Sequence, residues 1–392
     1  MVKVGLALVF LLGVPAELFG TTSQEIIIFA ARHYHLKGAS HFQMWQVHPD
    51  GRGKRRLRWP AGVPLFALPS PDGRQYVYAG VWASIFPIWF QEEQARDFLN
   101  GADPQDPALW VVRADGRARH RLLERAPIDL RWLASGQQLL LTETRHLLDV
   151  KTGQREVIHD QPELFTYHLS SVGSSFVTLG SVLFHPPIEY VLAEKDGSYW
   201  RIHLPTKTIV QLPSPPSVSP EERAPRSIAT PALSSPDGRK LAYIKTPQEA
   251  GDALGETLGV VDVQEGTIET LQQFAEEPLG INHFEWSPQG DQLLVERYQG
   301  LSGGPHSDLF IVNLETGQYH LIDEITSNTA QWAPSGRWVV YQTAVTTRPL
   351  GKKQVWSADI GVVKADGIGK TYFTSGAVYA CLPRWITVTE LQ

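Results

Sequence analysis

Short apolar runs rich in β-branched and aromatic residues recur along the whole chain, each bounded by a cluster of Pro, Asp, Ser and Gly. One set of runs covers residues 76–80, 139–142, 176–180, 241–245, 293–297 and 338–342, with similar runs at 26–30 and 386–389. Their composition and length fit strands, and no long stretch carries a helical period. Before these strands stand the turns Ser70-Pro71-Asp72-Gly73, Leu133-Ala134-Ser135-Gly136, Ser171-Val172-Gly173, Ser235-Pro236-Asp237-Gly238, Ser287-Pro288-Gln289-Gly290 and Ala333-Pro334-Ser335-Gly336. Pro presets the backbone of a turn, Asp or Ser bonds its own main chain, and Gly accepts a positive φ cheaply. A second series, Asp50-Gly51, Asp115-Gly116, Thr152-Gly153, Pro205-Thr206, Glu265-Gly266, Thr316-Gly317 and Asp366-Gly367, follows apolar strands such as 110–112, 309–314 and 360–363.

The two series together describe a repeat of about fifty residues, enough for a four-stranded antiparallel sheet with its loops. Periods of that length indicate radially repeated sheets, so the expected fold is all-β, a β-propeller. Seven turns of the second kind, and seven intervals between the strands of the first set, predict seven four-stranded blades. Six is the alternative if one weak repeat is an insertion. The N-terminus supplies residues 26–30 without a preceding inner strand, and residues 379–382 form an inner-strand candidate with no outer strands after it. Pairing the two would close the ring and remove an exposed edge. Residues 386–389 compete for the same position as 26–30.

Ser235-Pro236-Asp237-Gly238-Arg239 followed by Lys240-Leu241-Ala242-Tyr243-Ile244 resembles the signature of TolB-like, WD-repeat-like propellers. Trp286-Ser287-Pro288 and Trp332-Ala333-Pro334 resemble the aromatic that precedes the turn in that family. Trp132 holds the same place, whereas Pro69, Leu169 and Ser234 depart from it. A Trp there would pack between neighbouring blades. The resemblance spans nearly the whole chain after its first residues. It also implies differences: TolB itself carries an α/β domain before its propeller, for which this sequence has no room. Dipeptidyl-peptidase-like relatives carry a hydrolase domain, which nothing after Trp385 could supply. The expectation is a stand-alone propeller.

Composition changes this picture little. The chain has 392 residues, a net charge of −6 and a pI near 6.1, without the footprint of a nucleic-acid-binding protein. Lys3, the apolar run 4–14 and Val14-Pro15-Ala16 read as an export signal over residues 1–20, cut after Ala16 or Gly20, leaving residues 21–392 as one domain. The alternative is an uncleaved N-terminal membrane anchor. The run is too short to span a bilayer comfortably, and nothing later resembles a span. The expected location is therefore periplasmic or secreted, as a monomer. Cys381 is the single cysteine, set in an apolar run, and reads as a buried inert thiol.

In such a blade both turn series fall on one face and the second-to-third-strand connections on the other. Those connections are long: 31–41, 81–107, 181–197, 246–256, 299–307 and 343–357, with the Pro/Ser-rich stretch 213–231 emerging on the same side. Long loops on a rigid scaffold are where recognition sits. Trp82, Phe86, Trp89 and Phe90 in 81–107, His33 and His35 in the first loop, and Arg348 in the last are the candidate binding residues. The same aromatics could instead form a plug over the channel mouth. His33 and His35, two apart, lack an obvious third ligand, so no metal and no cofactor are expected. The Gly300-Leu301-Ser302-Gly303-Gly304 segment matches a nucleophile elbow literally but lacks the helix that motif needs. A basic cluster, Arg52, Lys54, Arg55, Arg56 and Arg58 with Arg113, Arg117, Arg119, Arg121 and Arg125, reads as solvated outer strands or as a docking edge for an acidic partner. The function expected is a non-catalytic scaffold that binds protein, peptide or glycan. The alternatives are a secreted lyase or glycosidase working at the channel mouth, which needs paired carboxylates, and an accessory subunit of a separately encoded enzyme.

Overall fold

The computed structural model describes residues 22–35, 41–80, 97–127, 130–141, 146–159, 165–166, 189–195, 198–211, 232–237, 239–245, 257–262, 268–271, 281–298, 306–326, 329–374, 376 and 378–390. Within them the chain forms seven four-stranded antiparallel sheets and one separate two-stranded hairpin. Five of the seven are built from four consecutive strands. The second sheet, for example, runs Leu68–Pro69, Gln75–Tyr78, Leu109–Arg113 and His120–Leu123. In the seventh, a hairpin separates Gln331–Trp332 and Trp338–Gln342 from Ile360–Lys364 and Thr371–Tyr372, and the first orders Arg55–Arg56, Phe42–Val47 and Thr22–His33 beside the last strand of the chain, Val378–Glu390.

This closing pair resolves the competition between the two C-terminal runs. Residues 379–382 and 386–389 belong to one strand, kinked by a register shift between Ile28 and Ala30 with Leu382 at φ 58°. Ala30 pairs with Cys381, Ile26 with Ile386 and Thr22 with Glu390. Both runs therefore fit along a single 12-residue partner.

The turn chemistry is visible bond by bond. Ser70 Oγ donates to Asp72 Oδ1 at 2.6 Å and accepts from the Gln75 backbone N–H at 3.0 Å, while Gly73 takes φ 66°. Ser235, Asp237 and Lys240 repeat the pattern. In Ser287-Pro288-Gln289-Gly290 the third residue has no carboxylate, and Ser287 Oγ donates to Asp291 at 2.8 Å instead.

Consecutive sheets are tied through their first, inner strands. Trp132 Nε1 donates to the Leu68 carbonyl of the preceding sheet, Trp332 to Glu285 and Trp385 to Gln331. Trp286 packs into an apolar cluster with Ala242 and Leu258 of the sheet before its own. The expected role of the tryptophan before the turn is thus met, and Trp385 in the closing strand plays it too. Leu133, Leu140 and Leu147 pack with Ile202 and Leu204 between the third and fourth sheets, and Arg201 bonds the Asp237 carbonyl between the fourth and fifth. Ile386 and Gly73 meet between the first and second. Each sheet therefore touches the next, and the seventh touches the first.

The fourth sheet differs from expectation. Its second strand is Tyr190–Lys195, inside the predicted loop 181–197, and Lys195 pairs with Ser198 at the start of the third strand, Ser198–His203. The turn Ser171-Val172-Gly173 and the run 176–180, assigned to that strand from the sequence, lie outside the described residues. That turn lacks Pro and Asp, whereas Asp-Gly between alternating strands is a strong two-residue hairpin signal. The long connection of this sheet accordingly joins its first and second strands.

Candidate functional site

Of the expected binding residues, Trp82, Phe86, Trp89 and Phe90 lie outside the described residues. His33 ends the strand Thr22–His33, half-buried, with its ring 5.4 Å from that of Trp45. Burial, and then the charge of Lys54, hold its pKa below the ordinary value, so the imidazole is neutral at neutral pH. His35 is exposed, and His41 pairs with Asp97 at 3.0 Å rather than with either. Among the described residues no three His, Cys, Asp or Glu side chains converge as a metal site would require.

Arg348 belongs to the hairpin Thr346–Leu350 and Lys353–Ser357, which interrupts the seventh sheet between its second and third strands. Its Nη2 lies 3.1 Å from Asp359 Oδ2, and the other carboxylate oxygen accepts from Thr374 Oγ1 at 2.7 Å. At the hairpin's other leg, Ser357 Oγ donates to the Val378 carbonyl at 2.9 Å. Arg348 therefore anchors the hairpin to the ring. The outward groups are Lys352, Lys353 and Trp356, whose side chain is 55% exposed. An indole left in water on a braced hairpin is a ready contact surface.

A second group of chemistry-bearing residues lies inside. The residue before each of the four inner-strand tryptophans is polar and buried: Arg131, Glu285, Gln331 and Arg384. Alternation along a strand explains the placement, since Trp reaches back to the preceding sheet while its neighbour faces the other way. Arg384 donates to the Ala67 carbonyl, and Glu285 accepts a backbone N–H from Trp332. Such bonds satisfy main-chain groups at an inner edge that has no strand beside it.

Glu285 is the unusual member. Burial, reinforced by the nearby Glu296, pushes its carboxyl up to about 8 against the opposing Trp332 N–H and Arg131. His283, two residues earlier on the same strand, is pushed down to about 4 by burial and by Arg131. Arg131 sits in the third sheet and the other two in the sixth, which are not neighbours in the ring. Their electrostatic contact therefore runs across the interior. At neutral pH this places a protonated carboxyl and a neutral imidazole near a guanidinium, a combination able to donate and accept protons. The sequence carries a signal for the set, a polar residue directly before each blade tryptophan, which no candidate in the sequence analysis uses.

No family model and no curated protein matches the chain. Among solved structures it is similar to TolB from Acinetobacter baumannii at 15% identity and TM-score 0.40, over 92% of this chain and 82% of that one. It is similar to an oligogalacturonate lyase in complex with manganese at 12% identity and TM-score 0.45, over 89% and 85%. The β-propeller domain of the Trilobed protease from Pyrococcus furiosus gives 10% identity and TM-score 0.43, over 89% and 92%. These likenesses are distant, and the assignment stands on sheet order, inter-sheet contacts and shared termini. On that topology the chain is a β-propeller, and its Ser-Pro-Asp-Gly turns resemble those of TolB-like propellers.

Proposed function

We propose that this propeller is an exported, non-catalytic scaffold that binds a protein, peptide or glycan of the cell envelope through the face bearing the second-to-third-strand connections. The observation that carries the reading is the hairpin Thr346–Leu350 and Lys353–Ser357, held at its base by Arg348 and Asp359 while Trp356 stays in water. A braced, exposed aromatic flanked by Lys352 and Lys353 costs little ordering entropy on binding and favours an acidic or ring-bearing partner. The signal-like segment 1–20 supports export, with the mature chain acting as a monomer in the periplasm or outside the cell.

The test is a pull-down from envelope extract with wild type, Trp356→Ala and a variant lacking residues 81–107. Loss of a captured partner in either variant, with thermal unfolding unchanged, supports the reading. Full retention in both sinks it. N-terminal sequencing of the mature protein tests export, with cleavage expected after Ala16 or Gly20.

A second reading is favoured by Glu285 alone, whose raised carboxyl suits a general acid inside the ring. It predicts turnover of a glycoside or uronide panel that Glu285→Gln abolishes.

A further inference from the structure

The basic cluster is not uniform once its partners are counted. Arg52 pairs with Asp50 at 3.5 Å, Arg113 with Asp115 at 3.1 Å and Arg121 with Glu124 at 2.6 Å. Lys54 Nζ donates to the Phe373 carbonyl, and Arg119 lies over the rings of Trp110 and Tyr78. Arg56 and Arg58 are different. Both are exposed, neither meets a carboxylate among the described residues, and both line one cleft of about 330 Å³.

That cleft is built by the backbone, not by loose side chains. Its floor is the buried apolar set Phe42, Met44 and Leu65. The Leu57 N–H donates to the Met44 carbonyl at 2.8 Å, fixing the segment that carries both arginines. Trp59 forms a wall with its Nε1 bound to the Val63 carbonyl at 2.9 Å, so the indole is locked. Opposite, Asn100 takes a left-handed φ of 49° and spends its amide nitrogen on the Pro60 and Val63 carbonyls. The volume is at the lower end of the range for small-molecule sites, about 300–1,000 Å³, and an apolar floor under a few fixed polar groups is their usual chemistry.

We propose that this cleft binds a small organic carboxylate carried on a six-membered ring. Arg56 and Arg58 receive the carboxylate, because guanidinium matches its geometry and neither meets a carboxylate among the described residues. Trp59 and the floor receive the ring, which the volume admits. Neighbouring positive charge at Arg119, close to Gly62, draws an anion toward this edge. Asn100 comes from the connection 81–107, but Arg56, Arg58 and Trp59 do not, so failure of this site leaves the readings that rest on Trp356 and on Glu285 intact.

Isothermal titration of the full mature chain tests it, with D-glucuronate and benzoate as probes and glucose, benzamide and inorganic phosphate as controls. Saturable binding of at least one carboxylate is expected, weakened about tenfold or more in Arg56→Gln/Arg58→Gln and reduced by added salt. Glucuronate without benzoate would assign a sugar acid, and benzoate without glucuronate an aromatic acid. Both arginines are exposed, so the double variant folds, which its unfolding curve verifies. The proposal is overturned if no carboxylate binds wild type, if the double variant binds equally well, if the neutral analogues bind equally well, or if phosphate matches the carboxylates.

Discussion

The carboxylate of Glu25 accepts two hydrogen bonds from Ser335, 310 residues away: one from its backbone N–H at 2.6 Å and one from its Oγ at 2.8 Å. Glu25 lies on the first strand of the chain and Ser335 in a repeat turn of the seventh sheet, so the pair clasps the ring at its closure. Charge-assisted bonds at partly buried positions contribute more than neutral surface contacts. Glu25→Ala should lower unfolding stability by about 1–2 kcal/mol. Chemical denaturation of the single and double variants with Ser335→Ala measures the coupling, and strictly additive losses would mean the clasp contributes nothing.

Glu285 and His283 predict opposite pH dependences. The Glu285 carboxyl is raised in the folded state from 4.5 to about 8, so the native protein prefers the proton more than the unfolded chain does. Its stability contribution is complete below about pH 4.5 and is lost as pH rises toward 8. His283 is lowered from 6.5 to about 4, so its contribution is complete above pH 6.5 and is lost as pH falls toward 4. Urea titrations across that range should show Glu285→Gln flattening the loss on the alkaline side and His283→Gln the loss on the acid side. Unchanged profiles would show that neither group is buried as described.

Gly361 faces Tyr341 across a strand pair, and a Cβ on the glycine would meet the tyrosine ring at 2.4 Å. The ring is fully buried, and its hydroxyl is bonded to Asp323 at 3.1 Å, so it has nowhere to move. Gly361→Ala should cost about 2 kcal/mol or more through overpacking. The double variant with Tyr341→Phe would not relieve this, whereas Tyr341→Leu should recover part of the stability by emptying the contested space. Thermal unfolding of the three variants separates these outcomes.

Cys381 is buried on the closing strand, and burial pushes its thiol well above the ordinary range. A thiol-reactive reagent should label no cysteine in the native protein and one after denaturation. Native labelling at the unfolded rate would mean that the first sheet opens readily.

The repeat turns and the strands that follow them were readable because their causes are local, and the pairing of the two chain ends followed from the strands each end leaves over in the repeat. Ser70 and Asp72 close their own turn, and Trp132, Trp286 and Trp332 stand at one fixed place before it. Where local chemistry is weak the sequence is harder to read: the strand Tyr190–Lys195 lies in the stretch expected to be the loop 181–197. Arg348, expected to bind from its loop, pairs with Asp359 at the base of the hairpin, and nothing in the sequence singles out the exposed Trp356.

The sequence by itself determined the repeat, its antiparallel hairpins and the aromatic that spaces the sheets, because turns and alternation act over a few residues. Tertiary structure alone decided which side chains meet, Glu25 with Ser335 and Arg56 and Arg58 at the cleft beside Trp59, and that the charge of Arg131 acts on His283 and Glu285. Those partners are far apart along the chain, and their protonation and availability depend on burial that exists only when the ring has closed.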